Sequence, residues 1–392
     1  MAGPLEGCRV LELAHIMAGP IAGMMLADMG ADVIKIEKKA GDDTRRMVPP
    51  KVNDESAAFM MMNRNKRGIV LDLKSAAGRQ AFLRLIKTAD VLIENFRRGT
   101  MEKLGLGYDL LKGINPALIY LEVSGFGRTG PYADRAGFDL IAQGMSGLMS
   151  ITGDGVNDAP MKVGAPVTDI TAGILGAMGV SAAYANRLKT GLGQKVDTSL
   201  FEAGITHTYW QSAIAFATGE SPGALGTAHP LNAPYQAFET ADGWINVGAA
   251  NQQNWERLLS VLELPELGED IRFGSNDARM ANLPALVKIL NGIFVRKMTA
   301  EWLERFEKEG LPAGPILNIQ EMHKDPQAVA RNMIVDQQHP TAGFTQTLGT
   351  PVKFSQTPTM IKYAAPTLGQ HSTEVFLEAG FSNEEISLLL NE

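Results

Sequence analysis

Short apolar runs alternate with helical patterns along the first part of the chain. The runs lie at residues 9–13, 32–37, 68–73, 91–94 and 118–123. Residues 22–29 and 76–87 have helical periodicity and separate some of these runs. Strands that alternate with helices indicate a mostly parallel sheet covered on both faces. The pattern therefore predicts an α/β fold with a Rossmann-like large domain.

A second pattern begins near residue 235. The preceding residues 217–234 are dense in Gly, Ser, Pro and Ala, which is typical of a linker. Residues 235–240 and 243–247 then predict a β-hairpin, and helical patterns follow at 251–262, 283–294 and 299–309. We therefore predict four segments: the N-terminal part of the large domain at 1–216, the linker at 217–234, a small α+β domain at 235–325, and a strand-like C-terminal segment at 326–392.

Length and composition are those of an ordinary soluble globular protein. At 392 residues, with 45% hydrophobic and 20% charged side chains, the chain is long enough for two cores. Residues 170–186 are apolar, but they are short and rich in small side chains, so we expect a core helix and no membrane span. The N-terminus lacks a signal-peptide pattern. Cytoplasmic localisation is the expectation.

Charge and metal-ligand types exclude several classes of partner. The net charge is −7 and the basic residues form no run longer than a pair, so a nucleic-acid partner is not expected. The six histidines lack metal-ligand spacing, and the single cysteine, Cys8, fits a buried thiol. Residues 125–130 match a dinucleotide fingerprint only loosely, and a turn is the better interpretation. No metal and no nucleotide redox cofactor is predicted.

Asp169 is the most unusual residue of the core-helix segment. It lies between a proline-marked turn at 164–166 and a small-residue apolar stretch. An aspartate at the start of an apolar helix is most often an N-cap that accepts backbone N–H bonds. Local sequence alone therefore favours a structural role for Asp169.

Six segments in order change that interpretation. They are residues 5–13, 18–20, 30–37, 63–74, 95–99 and 134–139. Together they resemble the class III coenzyme A transferases, which include formyl-CoA and carnitine-CoA transferases and, as a divergent branch, alpha-methylacyl-CoA racemase. The likeness runs nearly end to end. It implies a ring-shaped subunit, with residues 326–392 returning to the large domain, and an interlocked homodimer.

The resemblance also implies a site for CoA, which is a substrate here and not a resident cofactor. Arg97 would pair with a phosphate, Phe96 would offer a packing face and Asn95 would hydrogen-bond, at the end of a predicted strand. Lys38 stands where relatives commonly have Arg and contact the nucleotide. Further candidates for CoA binding are Leu71, Lys74, Lys103, Arg135, Gly137 and Asp139.

In this family the residue aligned with Asp169 is the nucleophile. The resemblance implies that it attacks the acyl-CoA thioester to give a mixed anhydride and then an aspartyl-CoA thioester. A carboxylate suits this role because it is expected to be ionised at neutral pH without an auxiliary base. One thioester replaces another, so the reaction needs no ATP, metal or redox cofactor.

Two further segments bear on the acyl group. The loop containing Gly248, Ala249, Ala250 and Asn251 is the candidate for oxyanion stabilisation, and Met17 and Ala18 are candidate substrate contacts. Formyl-CoA transferases have several glycines in that loop and glutamine at the position of Met17, so formyl-CoA:oxalate activity is disfavoured. We expect succinyl-CoA or another dicarboxylyl-CoA as the donor and a carboxylic acid as the acceptor.

Two alternatives to a transferase stay open from the sequence. The racemase branch has histidine where this chain has Phe138, and phenylalanine carries no proton, which argues against racemisation of a 2-substituted acyl-CoA. A non-catalytic CoA-binding homologue would not need Asp169. The sequence therefore favours an enzyme that moves CoA from an acyl-CoA to an acid.

Overall fold

A computed structural model describes residues 3–155 and 159–391. The chain folds into two compact units. The larger comprises Met1–Leu148, Val163–His207 and Pro326–Glu392, and the smaller comprises Met149–Lys162 and Thr208–Asp325. The segment that begins at residue 326 thus belongs to the same unit as the N-terminal strands.

The secondary structure follows the alternation seen in the sequence. The strands are β1 (Arg9–Glu12), β2 (Asp32–Glu37), β3 (Lys51–Val52), β4 (Glu55–Ser56), β5 (Lys66–Val70), β6 (Val91–Glu94), β7 (Ile119–Ser124), β8 (Lys195–Ser199), β9 (Tyr235–Glu239), β10 (Trp244–Gly248), β11 (Ala313–Pro315), β12 (Ile334–His339) and β13 (Gly343–Leu348). The helices are α1 (Ala18–Asp28), α2 (Ala57–Met62), α3 (Ala76–Ile86), α4 (Thr100–Lys103), α5 (Tyr108–Ile114), α6 (Asp139–Met145), α7 (Val167–Thr190), α8 (Leu200–Thr206), α9 (Tyr209–Thr218), α10 (Gln252–Leu262), α11 (Glu266–Glu269), α12 (Asn276–Ala281), α13 (Leu283–Phe294), α14 (Thr299–Glu309), α15 (Ile319–Lys324), α16 (Pro326–Ala330), α17 (Ser372–Glu378) and α18 (Asn383–Asn391).

The larger unit is built on a six-stranded sheet in the order β5-β2-β1-β6-β7-β8. Every neighbouring pair in this sheet is parallel, which confirms the predicted parallel α/β sheet. The chain runs outward from β1 to β5 in one direction and from β6 to β8 in the other. The point between β1 and β6 is therefore the topological switch point, where open α/β sheets place their ligands.

Side chains of the central strands alternate between two cores. Val10, Val33 and Val91 face α1 and α7, whereas Leu11 and Ile34 face the opposite layer, which includes α3 and α17. This alternation is the period-2 consequence of strand geometry. Helices on both faces explain why the central strands are buried on both sides, including the charged side chains of Glu12, Lys35 and Lys66.

Helices α1 and α7 pack closely because α7 has glycine at the contact. A Cβ atom built on Gly173 would lie 2.8 Å from the Ala18 carbonyl oxygen and 2.7 Å from Ile21. A Cβ atom built on Gly176, one turn later, would lie 3.5 Å from the Ala22 Cβ, an ordinary contact, and 3.0 Å from Leu121 of β7. Contacts advance together along both helices, so α1 and α7 run parallel and begin at the same end of the pair.

Helix α7 is more exposed than the predicted core helix. Its 24 residues are apolar enough that, by length and composition alone, it is the one helix in 3–155 and 159–391 able to cross a membrane, and core helices of soluble proteins pass the same test. Met178 is 62% exposed, and Ile174 and Leu188 are exposed as well. The sequence predicted a core helix, whereas this face of α7 is exposed in the single chain.

The smaller unit contains the predicted hairpin. Strands β9 and β10 pair antiparallel, with Trp244 opposite Glu239, and β11 joins the other side of β10. Helices α10, α13 and α14 cover this sheet around Phe238, Trp255 and Phe294. The antiparallel pair β12–β13 belongs to the larger unit.

Candidate active site

Most of the predicted CoA-binding residues follow the carboxyl ends of adjacent parallel strands. Lys38 follows β2, Leu71 and Lys74 follow β5, and Asn95, Phe96 and Arg97 follow β6. Met17 follows β1 and stands immediately before α1. Because all these strands point the same way, the residues lie along one edge of the sheet. This is the edge at which ligands of open α/β sheets bind.

Asp169 is the third residue of α7 and does not cap it. The N-cap is Pro166, and the carboxylate that reaches the first turn belongs to Asp139. Asp139 Oδ1 accepts hydrogen bonds from the Thr168 N–H at 3.0 Å and from Thr168 Oγ1 at 2.8 Å. The N-cap role that local sequence favours for Asp169 is therefore wrong, because another carboxylate already fills it.

The Asp169 carboxylate is half-buried and uncommitted. No hydrogen bond or ion pair from a residue in the described part of the chain reaches it. Burial, with a further contribution from the negative charge of Asp139, raises the pKa of Asp169 from 3.8 to about 7. The carboxyl group of Asp169 therefore keeps its proton to a higher pH than an ordinary aspartate does, which the sequence did not indicate.

The parallel helix pair places Asp169 beside the loop that follows β1. Asp169 lies one turn before Gly173 on the same face of α7, and Gly173 contacts Ala18 in the first turn of α1. Met17 is the residue immediately before Ala18. Asp169 therefore lies near the end of α7 that packs against the first turn of α1, and residues 15–17 lead into that turn.

The loop after β1 is tied to the loop after β6 at the topological switch point. Asn95 Oδ1 accepts the His15 N–H at 2.8 Å, and Asn95 Nδ2 donates to the His15 carbonyl at 2.8 Å. The His15 and Phe96 rings lie 5.2 Å apart. Burial lowers the pKa of His15, which keeps its imidazole neutral at neutral pH. Asn95 thus holds the protein backbone, a role that the sequence did not indicate.

Two charged residues behind Phe96 were missed by the sequence analysis. Arg128 Nη2 donates to Glu94 Oε1 at 3.0 Å and to the Phe96 carbonyl at 2.9 Å. Glu94 Oε2 in turn accepts the Phe96 N–H at 2.6 Å. Burial raises the pKa of Glu94 to about 8, although Arg128 opposes this. The pair fixes both sides of the Phe96 backbone, and residues 125–130 form the predicted turn that delivers Arg128.

The basic residues predicted to bind CoA are exposed and differ in their partners. Lys38 lies 3.3 Å from Asp43, and Arg135 stacks 4.0 Å above the Tyr132 ring. Within 3–155 and 159–391, no carboxylate pairs with Lys74, Arg97 or Lys103. These three cations are therefore available to an anionic ligand.

Leu71 and Gly137 have structural roles in the fold, whereas the sequence predicted them only as contacts for CoA. The Leu71 side chain is buried in the core and its N–H donates to the Glu37 carbonyl, so only its remaining backbone could touch a ligand. A Cβ atom at Gly137 would lie 2.6 Å from the Gly125 Cα. Glycine is needed at this close backbone crossing, which brings Asp139 to the start of α7.

The predicted oxyanion loop lies in the smaller unit, after β10. The Gly248 N–H donates to the Pro312 carbonyl and the Ala249 N–H to the Pro234 carbonyl, both at 2.9 Å. Asn251 caps α10 by accepting the Asn254 N–H. Of the four predicted residues, Ala250 and Asn251 have backbone N–H groups without an acceptor among the described residues. Any stabilisation of an oxyanion by this loop therefore falls to them.

Metal chemistry has no ligand cluster to support it within residues 3–155 and 159–391. Groups of three or more His, Cys, Asp or Glu side chains placed to hold an ion are absent from this part of the chain. The site consists instead of one uncommitted carboxylate, several exposed cations and a tightly held loop. That set suits covalent chemistry on a carboxylate with an anionic substrate.

Comparison with known proteins places this site in a family. Residues 5–372 match the family described as CoA-transferase family III. The chain is 42% identical to a succinate–glutarate CoA-transferase of Agrobacterium fabrum, over 96% of this chain and 95% of that protein. It is 38% identical to a succinyl-CoA:glutarate CoA-transferase of Mus musculus, over 96% of this chain and 86% of that protein.

A solved structure gives the same result. The crystal structure of a CAIB/BAIF family protein from Brucella suis superimposes with a TM-score of 0.87 at 39% identity, covering 97% of this chain and all of that one. Sequence and fold agree over nearly the whole chain. The chain therefore belongs to CoA-transferase family III and is a class III CoA-transferase.

Proposed function

We propose that this transferase moves CoA from succinyl-CoA to a dicarboxylic acid such as glutarate, with Asp169 as the nucleophile. The observation that carries the proposal is the uncommitted Asp169 carboxylate in the first turn of α7, the helix that packs against α1 through Gly173. The substrate class is supported by the names of two relatives, which are 42% and 38% identical to this chain over the aligned residues.

The proposed reaction exchanges one thioester for another in four steps. An Asp169 oxygen attacks the thioester carbonyl, the carbon–sulfur bond breaks, and a mixed anhydride and CoA thiolate result. The thiolate attacks the Asp169 carbonyl of the anhydride and expels the donor as a free carboxylate. The acceptor carboxylate then attacks the aspartyl-CoA thioester and releases thiolate. Attack of that thiolate on the acceptor carbonyl gives the new acyl-CoA and restores Asp169.

The raised pKa of Asp169 fits a nucleophile. Burial that disfavours the charged form makes the carboxylate more basic, and more basic oxygens attack carbonyl carbon faster. No second base is required, because the ionised group attacks directly. The fraction that is ionised near pH 7 is large enough to react.

Several basic residues at the sheet edge would contribute to CoA binding. Arg97, which has a fork of donors and no carboxylate partner among the described residues, suits a phosphate. Lys74 and Lys103 add charge, whereas Lys38 would first have to leave Asp43. Phe96 offers a ring that Arg128 and Glu94 hold in place. These residues would bind the substrate without taking part in bond making.

We also propose a cytoplasmic, interlocked homodimer as the functional form. Helix α9 has no buried residue, and it exposes Tyr209, Trp210 and Phe216, the last 90% exposed. Helix α7 exposes Ile174, Met178 and Leu188. Large apolar side chains on two helices are unusual for a surface that faces only water. A second copy of the chain would cover them.

The substrates are tested by a discontinuous assay with succinyl-CoA and a panel of acids. We expect stoichiometric formation of free succinate and the new acyl-CoA, with glutarate among the best acceptors and monocarboxylates poorer. Parallel lines in double-reciprocal plots would indicate the two-stage mechanism. Transfer from acetyl-CoA or formyl-CoA with no activity on succinyl-CoA would overturn the proposed donor.

A further inference from the structure

Ile16 has a backbone conformation that isoleucine rarely adopts. Its φ is 65°, in the left-handed region. The other non-glycine residues with positive φ in the described ranges are Asn53, Asn65, Glu263 and Asn332. A β-branched residue is much less tolerant of this region than asparagine, and such strain costs about 1–3 kcal/mol. The surroundings of Ile16 must therefore hold it there.

The side-chain amide of Asn95 is one group that restrains this loop. It bonds both the N–H and the carbonyl of His15, the residue immediately before Ile16, at 2.8 Å each. These bonds fix the position of the loop relative to β6. The bond to the His15 carbonyl acts on one side of the peptide group between His15 and Ile16, and the N–H on the other side of that group has a separate partner.

The second hold is the buried carboxylate of Asp42. Asp42 Oδ1 accepts the Ile16 N–H at 3.2 Å, and the same oxygen accepts the N–H and Oγ1 of Thr44 at 2.9 and 2.8 Å. Its other oxygen lies 2.8 Å from Lys35 Nζ. Burial alone would raise the pKa of Asp42, but Lys35 and Thr44 outweigh it and keep the pKa well below its usual range. Asp42 is thus a fixed anion under the loop.

Asp42 is anchored in turn by a chain of buried charges. Lys35 Nζ also lies 3.1 Å from Glu12 Oε1, and Lys66 Nζ lies 2.8 Å from Glu12 Oε2. All four side chains are at most 1% exposed. Two cations and two anions balance, yet removing four charges from water offsets most of their attraction. Such a chain contributes defined geometry more than stability.

The segment held by these contacts lies at the active site. Residues 15–17 link β1 to α1 at the switch point, and the α1–α7 packing brings Asp169 to the same end. Met17 is the N-cap residue of α1, and its side chain makes no capping hydrogen bond. Its position therefore depends on the loop before it. Strain that persists next to reacting groups commonly serves to position them.

We propose that Asp42 is a positioning residue of the transferase, which together with Asn95 holds Ile16 in the left-handed conformation and so places His15 and Met17 against the acyl group. This inference rests on the proposed assignment of the sheet edge as the acyl-CoA site. Asp42 touches no reacting atom. Its effect passes through the backbone of the loop.

The decisive variant is Asp42→Asn. An asparagine has one acceptor oxygen, and the charged Lys35 ammonium is the stronger donor for it. The amide NH2 group then faces the Ile16 N–H, so the hydrogen bond to the loop is lost while the side-chain volume is kept. We expect kcat to fall by about tenfold or more with little change in the KM for acyl-CoA, because the reacting groups are misplaced and the CoA cations are untouched. In its crystal structure Ile16 leaves the left-handed region.

A second variant separates positioning from folding. Glycine adopts positive φ without strain, so Ile16→Gly added to Asp42→Asn should restore at least about half of the lost rate. Thr44→Val is the matched control, since it removes a hydrogen bond to Asp42 without touching the loop, and it should keep kcat. A loss that Ile16→Gly leaves unchanged would show that Asp42 serves stability only.

The structural readout does not depend on the substrates. Any acyl-CoA and acid that the wild type exchanges will serve for the kinetics, so failure with succinyl-CoA overturns the proposed donor and not the role of Asp42. If Ile16 keeps its left-handed conformation and residues 15–17 keep their places in the Asp42→Asn crystal structure, the positioning role is overturned whatever the activity.

Discussion

The pKa of the Asp169 carboxyl group is set by the surroundings of the side chain. The carboxyl group is half-buried near the negative charge of Asp139, and its pKa of about 7 is well above the ordinary value of 3.8. The hydrogen bonds at the start of α7 go to Asp139 instead. The fold therefore leaves the proposed nucleophile without stabilising partners, which would raise its reactivity at the expense of stability.

The first prediction concerns stability. Between pH 4 and 7 the folded chain keeps the Asp169 proton that the unfolded chain has lost, so Asp169 weakens folding as pH rises, with the full effect above about pH 7. Asp169→Asn should therefore stabilise the protein at pH 8 by about 1–2 kcal/mol, allowing for the solvent that reaches this side chain. The gain should vanish near pH 4. Thermal unfolding of both proteins across this range measures it, and equal Tm values at pH 8 would contradict the account.

The second prediction concerns the pH dependence of the reaction. Because the ionised form attacks, kcat/KM for acyl-CoA should rise with pH and level off above about 7. Asp139→Asn keeps an oxygen for Thr168 but removes the charge, so the half-maximum should move to lower pH. The position of the midpoint is the readout, since the variant also alters a predicted CoA contact. An unmoved midpoint would mean that Asp139 has no electrostatic effect on Asp169.

At the scale of elements, the parallel pair α1 and α7 sets the geometry of the site. Both helices begin at the sheet edge, and glycines on α7 allow their backbones to approach. The packing of α1 against α7 therefore sets the position of Asp169 relative to residues 15–17. A change in the packing should therefore reach the site even though the glycines themselves touch no substrate.

The third prediction tests that packing. Gly173→Ala should destabilise the protein by about 1–3 kcal/mol, because the added methyl group would overlap the Ala18 carbonyl and Ile21, and it should also lower kcat. Gly292→Ala is the matched control. Gly292 lies in α13 with open space where a Cβ would go, so alanine there should stabilise by about 0.5–1 kcal/mol. Chemical denaturation compares the two, and equal effects would contradict the account.

Much of the element pattern was accessible from the sequence. Buried strands such as β2 and β6 and helices such as α13 and α14 have the predicted bounds, because each has a strong apolar period. Strand β8 was missed, since this edge strand alternates exposed and half-buried residues and has no apolar run. Helices α17 and α18 were missed as well.

The site was predictable where it depends on residue type and not where it depends on contacts. Family resemblance pointed to Asp169, and the order of the strands then brought the predicted CoA residues to one edge. The backbone role of Asn95, the support of Phe96 by Arg128 and the capping by Asp139 each involve partners more than 25 residues apart. The periodicity of a sequence reports on neighbouring residues and does not identify contacts between residues so far apart.

For the whole molecule, the exposed apolar helices point to a second copy of the chain. Tyr209, Trp210 and Phe216 of α9 and one face of α7 are largely exposed within the described chain. If the two chains interlock as proposed, they separate only after substantial unfolding. Assembly and folding would then be inseparable.

The fourth prediction follows from the interlocking. Native mass spectrometry should show twice the chain mass of 42.2 kDa at every accessible dilution. Two differently tagged preparations mixed under native conditions should form no hybrid dimer within days, whereas denaturing and refolding the mixture should give hybrids. Rapid hybrid formation without denaturant would indicate an ordinary, separable interface, and a monomer of one chain mass would remove the dimer altogether.

The central claim is that Asp169 becomes covalently acylated, and trapping that state tests it most directly. The protein is incubated with succinyl-CoA and hydroxylamine, digested and mapped by mass spectrometry, with Asp169→Asn as the control. The account predicts a hydroxamate on Asp169 in the wild type, none in the variant, and release of free succinate and CoA. An unmodified Asp169 in a protein that still transfers CoA, or a hydroxamate on another residue, would contradict it.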